Sequence, residues 1–186
     1  MNRRSVLKNL GVIVGGAVLL PSCMHKDGTS YVQLKYIDVK EDQQKLIAEI
    51  CETIIPRTHK PGAKNLDIPA FVLKLVDDCF DKKSQAEFLK GLGKFDDFVK
   101  NKKRNSFMDL NVKDRETLLT AIENDGKAKK LTNPDDADVY NFYTVLKQQT
   151  IFGYTTSKFF MTKEIVYELV PGRYNPHFPV KSSQSV

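Results

Sequence analysis

The signatures of a self-sufficient redox enzyme are missing from this chain. No CxxCH stands anywhere in its 186 residues, which excludes a covalent haem c site. The nearest approach to a dinucleotide fingerprint, Gly91-Leu92-Gly93-Lys94, has no strand before it and falls inside a helical pattern. Both glycines read as tolerated helix residues. There are three histidines: His25 in a polar N-terminal stretch, and His59 and His177 in loops. No two share a helix face, so no histidine-based metal site is expected. The acidic pairs Asp77-Asp78 and Asp96-Asp97 are adjacent helix residues that do not face each other, a poor basis for an acid–base dyad. Asp135-Asp136 fits a helix start, where acids complement the dipole. Ser157 has no GxSxG elbow around it. Strand alternation of useful length and internal repeats are also missing. Neither a catalytic constellation nor a cofactor or metal site is expected in this chain.

What is present begins with a leader. Arg3-Arg4-Ser5-Val6-Leu7-Lys8 precedes an apolar run from Leu10 to Leu20. The pattern resembles the twin-arginine export address, which moves proteins already folded, and such an address is read by a receptor rather than acting as an anchor. Eleven residues at ~1.5 Å each span roughly 16 Å, about half a bilayer core, so the run is too short for a stable span. Gly11, Gly15 and Gly16 keep its hydrophobicity modest. It fits the apolar core of a signal over residues 1–22. Leu20-Pro21-Ser22-Cys23 then resembles a bacterial lipobox, with Pro21 in place of the usual small residue. Cleavage there would leave Cys23 as an acylated first residue and hold the protein on a membrane. An ordinary cleavage nearby is the alternative. Residues 23–37 read as the lipidated cysteine and a polar tether.

The formal net charge is +6, and removing the three leader cations Arg3, Arg4 and Lys8 leaves +3. Acids and bases are interspersed beyond the leader, so the basic balance does not point to nucleic acid. The one basic cluster, Lys100 to Arg104, reads as an exposed helix end.

Residues 38–186 read as an all-α domain of five to six helices with an extended, loop-rich C-terminal tail. In the first helix Leu46, Ile47, Ile50, Cys51, Ile54 and Ile55 form one apolar face, with Asp38 as cap and Pro56 as terminator. Arg57–Asp67 reads as a loop. Pro69 suits the first turn of a second helix, Ile68 to about Phe80, with Phe71, Val72, Leu75, Val76 and Cys79 on its buried side. A third helix runs from about Ser84 to Lys103 through Phe88, Leu92, Phe95 and Val99. Asn111 caps a fourth, carrying Leu118, Leu119 and Ile122. A polar loop is expected over 124–136. A fifth helix starts near Ala137, carries Val139, Phe142, Tyr143 and Leu146, and is interrupted at Gly153. A short sixth helix is expected over 158–169. Cys51 and Cys79 could pair in an oxidising compartment, but their apolar helical settings favour buried, unpaired thiols.

Aromatic residues crowd the C-terminal third, from Tyr140 to Phe178, more densely than a small core can absorb. Tyr154, Arg173 and Tyr174 read as contacts for another protein.

Two stretches carry a resemblance. Ile54-Ile55-Pro56-Arg57-Thr58, Pro61-Gly62-Ala63 and Ile68-Pro69-Ala70-Phe71 resemble the opening of the gluconate 2-dehydrogenase subunit 3 family. So do Phe142-Tyr143, Leu146-Lys147, Thr150, Gly153-Tyr154, Thr156-Ser157, Tyr167 and Pro171-Gly172-x-Tyr174. The resemblance spans about Leu46 to Val180. After Thr156-Ser157 the chain departs from the family pattern with Lys158, Phe159 and Phe160, and in the tail with Asn175-Pro176-His177. The resemblance implies a small, non-catalytic subunit that carries the export signal for, and matures, a large glucose–methanol–choline type dehydrogenase subunit. That partner holds FAD and oxidises an alcohol carbon of a sugar or sugar acid. A separate cytochrome c, with haem c, commonly takes the electrons onward. Tyr154, Thr156, Ser157, Pro171, Arg173 and Tyr174 are the candidate partner contacts. The implied location is the periplasmic side of a membrane, held through Cys23. The competing expectation is a stand-alone envelope lipoprotein that binds a ligand or protein.

Overall fold

The apolar repeat around Leu46 folds as helix α1, Glu41–Ile54, which buries Leu46, Ile47, Ala48, Ile50 and Cys51. The computed structural model describes residues 32–128, 130, 133–165, 172 and 177. Arg3, Arg4, Cys23, Pro171, Arg173 and Tyr174 therefore lie outside the described residues, as do residues 166–169 of the expected sixth helix, whose described part, 158–165, holds only a short helical turn. Asp38 does not cap α1. The chain stays non-helical through Val39, whose side chain is buried, so the helix begins later. Lys40 occupies the cap position, and its N–H donates to Gln43 Oε1 at 3.1 Å, half of a capping box.

Four more helices follow among the described residues: α2, Ile68–Cys79; α3, Lys82–Lys103; α4, Val112–Lys127; and α5, Pro134–Thr155. Short 3₁₀ turns lie at Lys64–Leu66 and Phe107–Asp109, and a π turn at Phe160–Glu164. No strand occurs among the described residues. Each helix starts for a local reason. Pro69 sits in the first turn of α2, where its missing N–H costs nothing. Asp81 accepts from Ser84 N at 2.7 Å, Asn111 from Asp114 N at 2.8 Å and Asn133 from Asp135 N at 3.0 Å. Lys100, Lys102 and Lys103 do form the last turn of α3.

Helix α5 is the hub and packs on all four others, most extensively on α3. Phe142 of α5 meets Phe88 and Phe95 of α3 at ring-centre distances of 5.0 and 5.7 Å, and Phe95 meets Phe107 at 5.5 Å. All four rings are buried, each worth about 2–3 kcal/mol of burial. The approach of α3 to α5 is set by Gly91. A Cβ there would lie 2.3 Å from the Asp138 carbonyl oxygen and 2.4 Å from Phe142 Cβ. Gly91 is thus a packing requirement and not merely tolerated, whereas a Cβ on Gly93 would meet nothing within 4 Å.

Three further expectations are corrected. The buried stripe of α2 is turned by about one residue, to Ile68, Pro69, Val72, Leu73, Val76 and Asp77. Phe71 and Cys79 are exposed, while Cys51 is buried and free, as read. The loop expected over 124–136 is shorter, because α4 runs through Gly126 to Lys127 and α5 starts at Pro134. Finally, α5 does not break at Gly153, which is buried within it.

The N-terminal segment before α1 is fixed to the domain. Asp77, 1% exposed, accepts backbone N–H bonds from Lys35 (2.7 Å), Tyr36 (2.7 Å) and Ile37 (3.0 Å). Gln44 accepts from Val32 N at 2.9 Å and donates to the carbonyls of Val32 and Val39. Lys74 Nζ donates to the Gln33 carbonyl at 2.7 Å. Burial pushes the Asp77 carboxyl up, but the three backbone donors outweigh it and hold it below the ordinary range.

Candidate functional site

The two stretches that carry the resemblance are about ninety residues apart in sequence and meet at one end of the molecule. The first is the 55–68 loop. After Pro56 stops α1, the chain turns back, with Ala63 N–H on the Ile55 carbonyl at 2.9 Å and Ile68 N–H on the Ala63 carbonyl at 3.1 Å. Glu52, in the last turn of α1, pins the loop by accepting from Arg57 N at 2.9 Å and Lys64 N at 2.8 Å. Gly62 allows this closeness, since a Cβ would sit 2.5 Å from both Arg57 N and Glu52 Oε1. Below the loop, Glu49 pairs with Lys64 and with Arg115 Nη1, the latter at 2.8 Å. Arg115 also donates to the Phe107 and Met108 carbonyls and lies 5.2 Å from the Phe107 ring centre. Burial pushes the Glu49 carboxyl up, but Lys64 and Arg115 together bring it below its ordinary value.

The second stretch is the end of α5. Thr150 Oγ1 donates to the Leu146 carbonyl at 2.7 Å, which leaves it to accept from Cys51 Sγ at 3.2 Å. Burial raises the Cys51 thiol to about 12, so it is no nucleophile. Gly153 faces α2, where an added Cβ would lie 2.6 Å from Phe71 Cδ1 and 3.3 Å from Ile68 Cγ2. Tyr154 OH donates to the Pro61 carbonyl at 3.3 Å and so ties the helix end to the loop. Burial raises its phenol, with Glu164 adding to the effect. The rings of Phe159 and Phe160 lie 6.5 and 5.8 Å from Tyr154, and Lys60 pairs with Glu164.

The described candidate contacts are thus engaged within the chain. Tyr154 is half-buried. Thr156 Oγ1 donates to the Phe152 carbonyl at 2.7 Å. Ser157 Oγ donates to the Tyr154 carbonyl at 2.7 Å and accepts from Phe160 N at 3.2 Å, turning the chain after α5. These hydroxyls finish a helix and shape a surface.

Around them stand apolar side chains that were not among the candidate contacts, Phe71 having been expected on the buried side of its helix. Phe71 is 37% exposed, Ile151 43%, Phe152 49% and Ile165 37%, and the Phe71 and Phe152 rings are 6.0 Å apart. The signal was present in Thr150-Ile151-Phe152: an apolar pair beside a helix's buried face rather than on it. Polar groups here are satisfied internally, while large apolar ones are left to solvent. Such a surface suits association.

The family model for gluconate 2-dehydrogenase subunit 3 matches residues 41–172, a span that contains both stretches. No curated protein and no solved structure matches the chain. With that match over well more than half its length, the chain belongs to the gluconate 2-dehydrogenase subunit 3 family.

Proposed function

We propose that this chain is the non-catalytic small subunit of a membrane-associated, FAD-dependent sugar or sugar-acid dehydrogenase. It matures the flavoprotein subunit, accompanies it folded through the membrane and holds it there. The observation that carries this reading is the family match over 41–172, whose description makes the chain a subunit of a dehydrogenase. Two further features support it. Arg3-Arg4 fits an export route for folded cargo, which a chain without an expected cofactor has little need of alone. The polar groups where the family segments meet serve the fold, and apolar side chains are left outward. Flavin belongs to the partner in this reading, and Cys23 carries the lipid.

The test is export. With Arg3 and Arg4 both replaced by lysine, the flavoprotein subunit stays in the cytoplasm and its activity disappears from the envelope fraction. A flavoprotein that still reaches the periplasm would refute co-export. The mass of the mature N-terminus tests the anchor, which predicts acyl chains on Cys23.

A further inference from the structure

We infer that the flavoprotein subunit docks on the face made by the end of α5 and the start of α2, with Phe71, Ile151 and Phe152 at its centre and Arg57, Lys158 and Lys163 on its rim. This inference rests on the subunit reading above and assigns its contact surface.

Phe71 and Phe152 are neighbouring rings, each more than a third exposed, beside an exposed Ile151. Aromatic side chains are enriched at the cores of protein interfaces and charged ones depleted there, with polar groups forming the rim. The rim follows from the same convergence. Arg57 stands on the loop that Tyr154 grips through Pro61, and Lys158 and Lys163 lie on the segment that packs its phenylalanines on Tyr154. All three cations are exposed, and among the described residues none forms an ion pair. The single carboxylate of that segment, Glu164, is held by Lys60. The apolar centre therefore has three cations without ion pairs on the adjoining loop and segment, and the partner that fits is a protein surface with an apolar pocket and acidic groups beside it. Its scaffold is rigid: Gly62, Gly153, the Glu52 bonds and the Tyr154–Pro61 bond fix the loop on the helix end. A preformed face avoids the cost of ordering on binding. Every residue of it lies within the span shared with the family.

The test is co-purification of the dehydrogenase subunit with the full tagged chain from the native host, the captured protein being identified by its flavin spectrum and mass. Four chains are compared: wild type, Ile151→Glu with Phe152→Glu, Lys158→Glu with Lys163→Glu, and Val112→Glu. Val112 is 65% exposed and begins α4. Far-ultraviolet dichroism and melting check each fold. The inference predicts at least a tenfold loss of captured flavoprotein for the apolar pair and no loss for Val112→Glu. The lysine pair, which removes nothing from the core and so keeps the fold, loses several-fold, and its loss shrinks as salt rises.

Equal capture by all four chains overturns the assigned face while leaving the subunit reading intact. Absence of the flavoprotein even with wild type overturns that reading, and the inference with it. Three other occupants would also overturn it. A second copy shows as a wild-type dimer that the apolar pair dissociates without loss of capture. An anionic membrane shows as vesicle binding lost in the same variants, again with capture intact. The chain's own residues 166–186 show as new protease sensitivity there when Ile151 and Phe152 are replaced.

Discussion

Replacing Asp77 by alanine should release the segment before α1. The carboxylate accepts three backbone N–H bonds at 2.7–3.0 Å, and hydrogen bonds to a charged acceptor are worth about 1.5–3 kcal/mol each. Their sum is a ceiling and not the expected loss. Lys35 and Tyr36 are exposed, so their N–H groups can return to water if the segment lifts. Lifting forfeits the burial of Ile37 and Val39, roughly 1.5–2 kcal/mol apiece, offset by regained chain entropy. The expected cost is therefore about 2–4 kcal/mol, read by urea unfolding. Amide exchange at Tyr36 and Ile37 should accelerate by a factor of ten or more while the α5 core stays protected. Asp77→Asn tests the chemistry separately from the shape. It keeps one acceptor oxygen but turns an NH₂ group toward a backbone N–H, so about half the loss is expected. The contribution is also pH-dependent. The folded carboxyl titrates below its unfolded value near 3.8, so its stabilisation is complete above about pH 5 and is lost as pH falls through the folded value. Stability within 0.5 kcal/mol of wild type, with unchanged exchange, would refute the clamp. The clamp also sets the anchor's reach. If Cys23 carries the lipid, the nine residues from it to Val32, the first pinned position among the described residues, span at most ~30 Å. A released segment would double that.

Gly91→Ala should destabilise by about 1–3 kcal/mol because its methyl meets the Asp138 carbonyl, whereas Gly93→Ala should stabilise by about 0.5–1 kcal/mol; thermal melts of the pair would show opposite signs. Glu49→Gln strips Lys64 and Arg115 of their shared carboxylate and should cost about 1–3 kcal/mol, with the wild-type advantage fading below about pH 4 because the folded Glu49 titrates below its unfolded value near 4.5. An alkylating reagent should label Cys79 promptly in the folded protein and spare Cys51 until unfolding, as read by peptide mass mapping; equal labelling would contradict the buried Cys51–Thr150 contact.

Much of the fold was legible because it rests on local rules. Phe88, Leu92, Phe95 and Val99 recur at helical spacing and are all buried, and Asn111 caps α4 as its position suggests. The misreadings share one cause, tertiary contact overriding a local signal. Gly153 looked like a breaker because its local meaning is flexibility, but it is there to admit Phe71 from a helix eighty residues earlier. Asp77 was read only as half of an acidic pair on adjacent helix positions. Its position four residues after Leu73 and one after Val76 already set it on the buried stripe, but its three donors lie forty residues away. At the candidate site the family segments were readable and their meeting was not. The Tyr154–Pro61 bond turns a candidate contact residue into a brace, and the outward role passes to Phe71, Ile151 and Phe152.

If this chain acts as the small subunit of a flavoprotein dehydrogenase, affinity purification of the tagged, full-length chain from native membranes is the measurement to make. The expected product is an equimolar complex with a dehydrogenase subunit that shows a flavin spectrum and oxidises a sugar or sugar acid with an added acceptor. A chain recovered as a stable monomer, with no flavoprotein beside it, would rule the subunit role out.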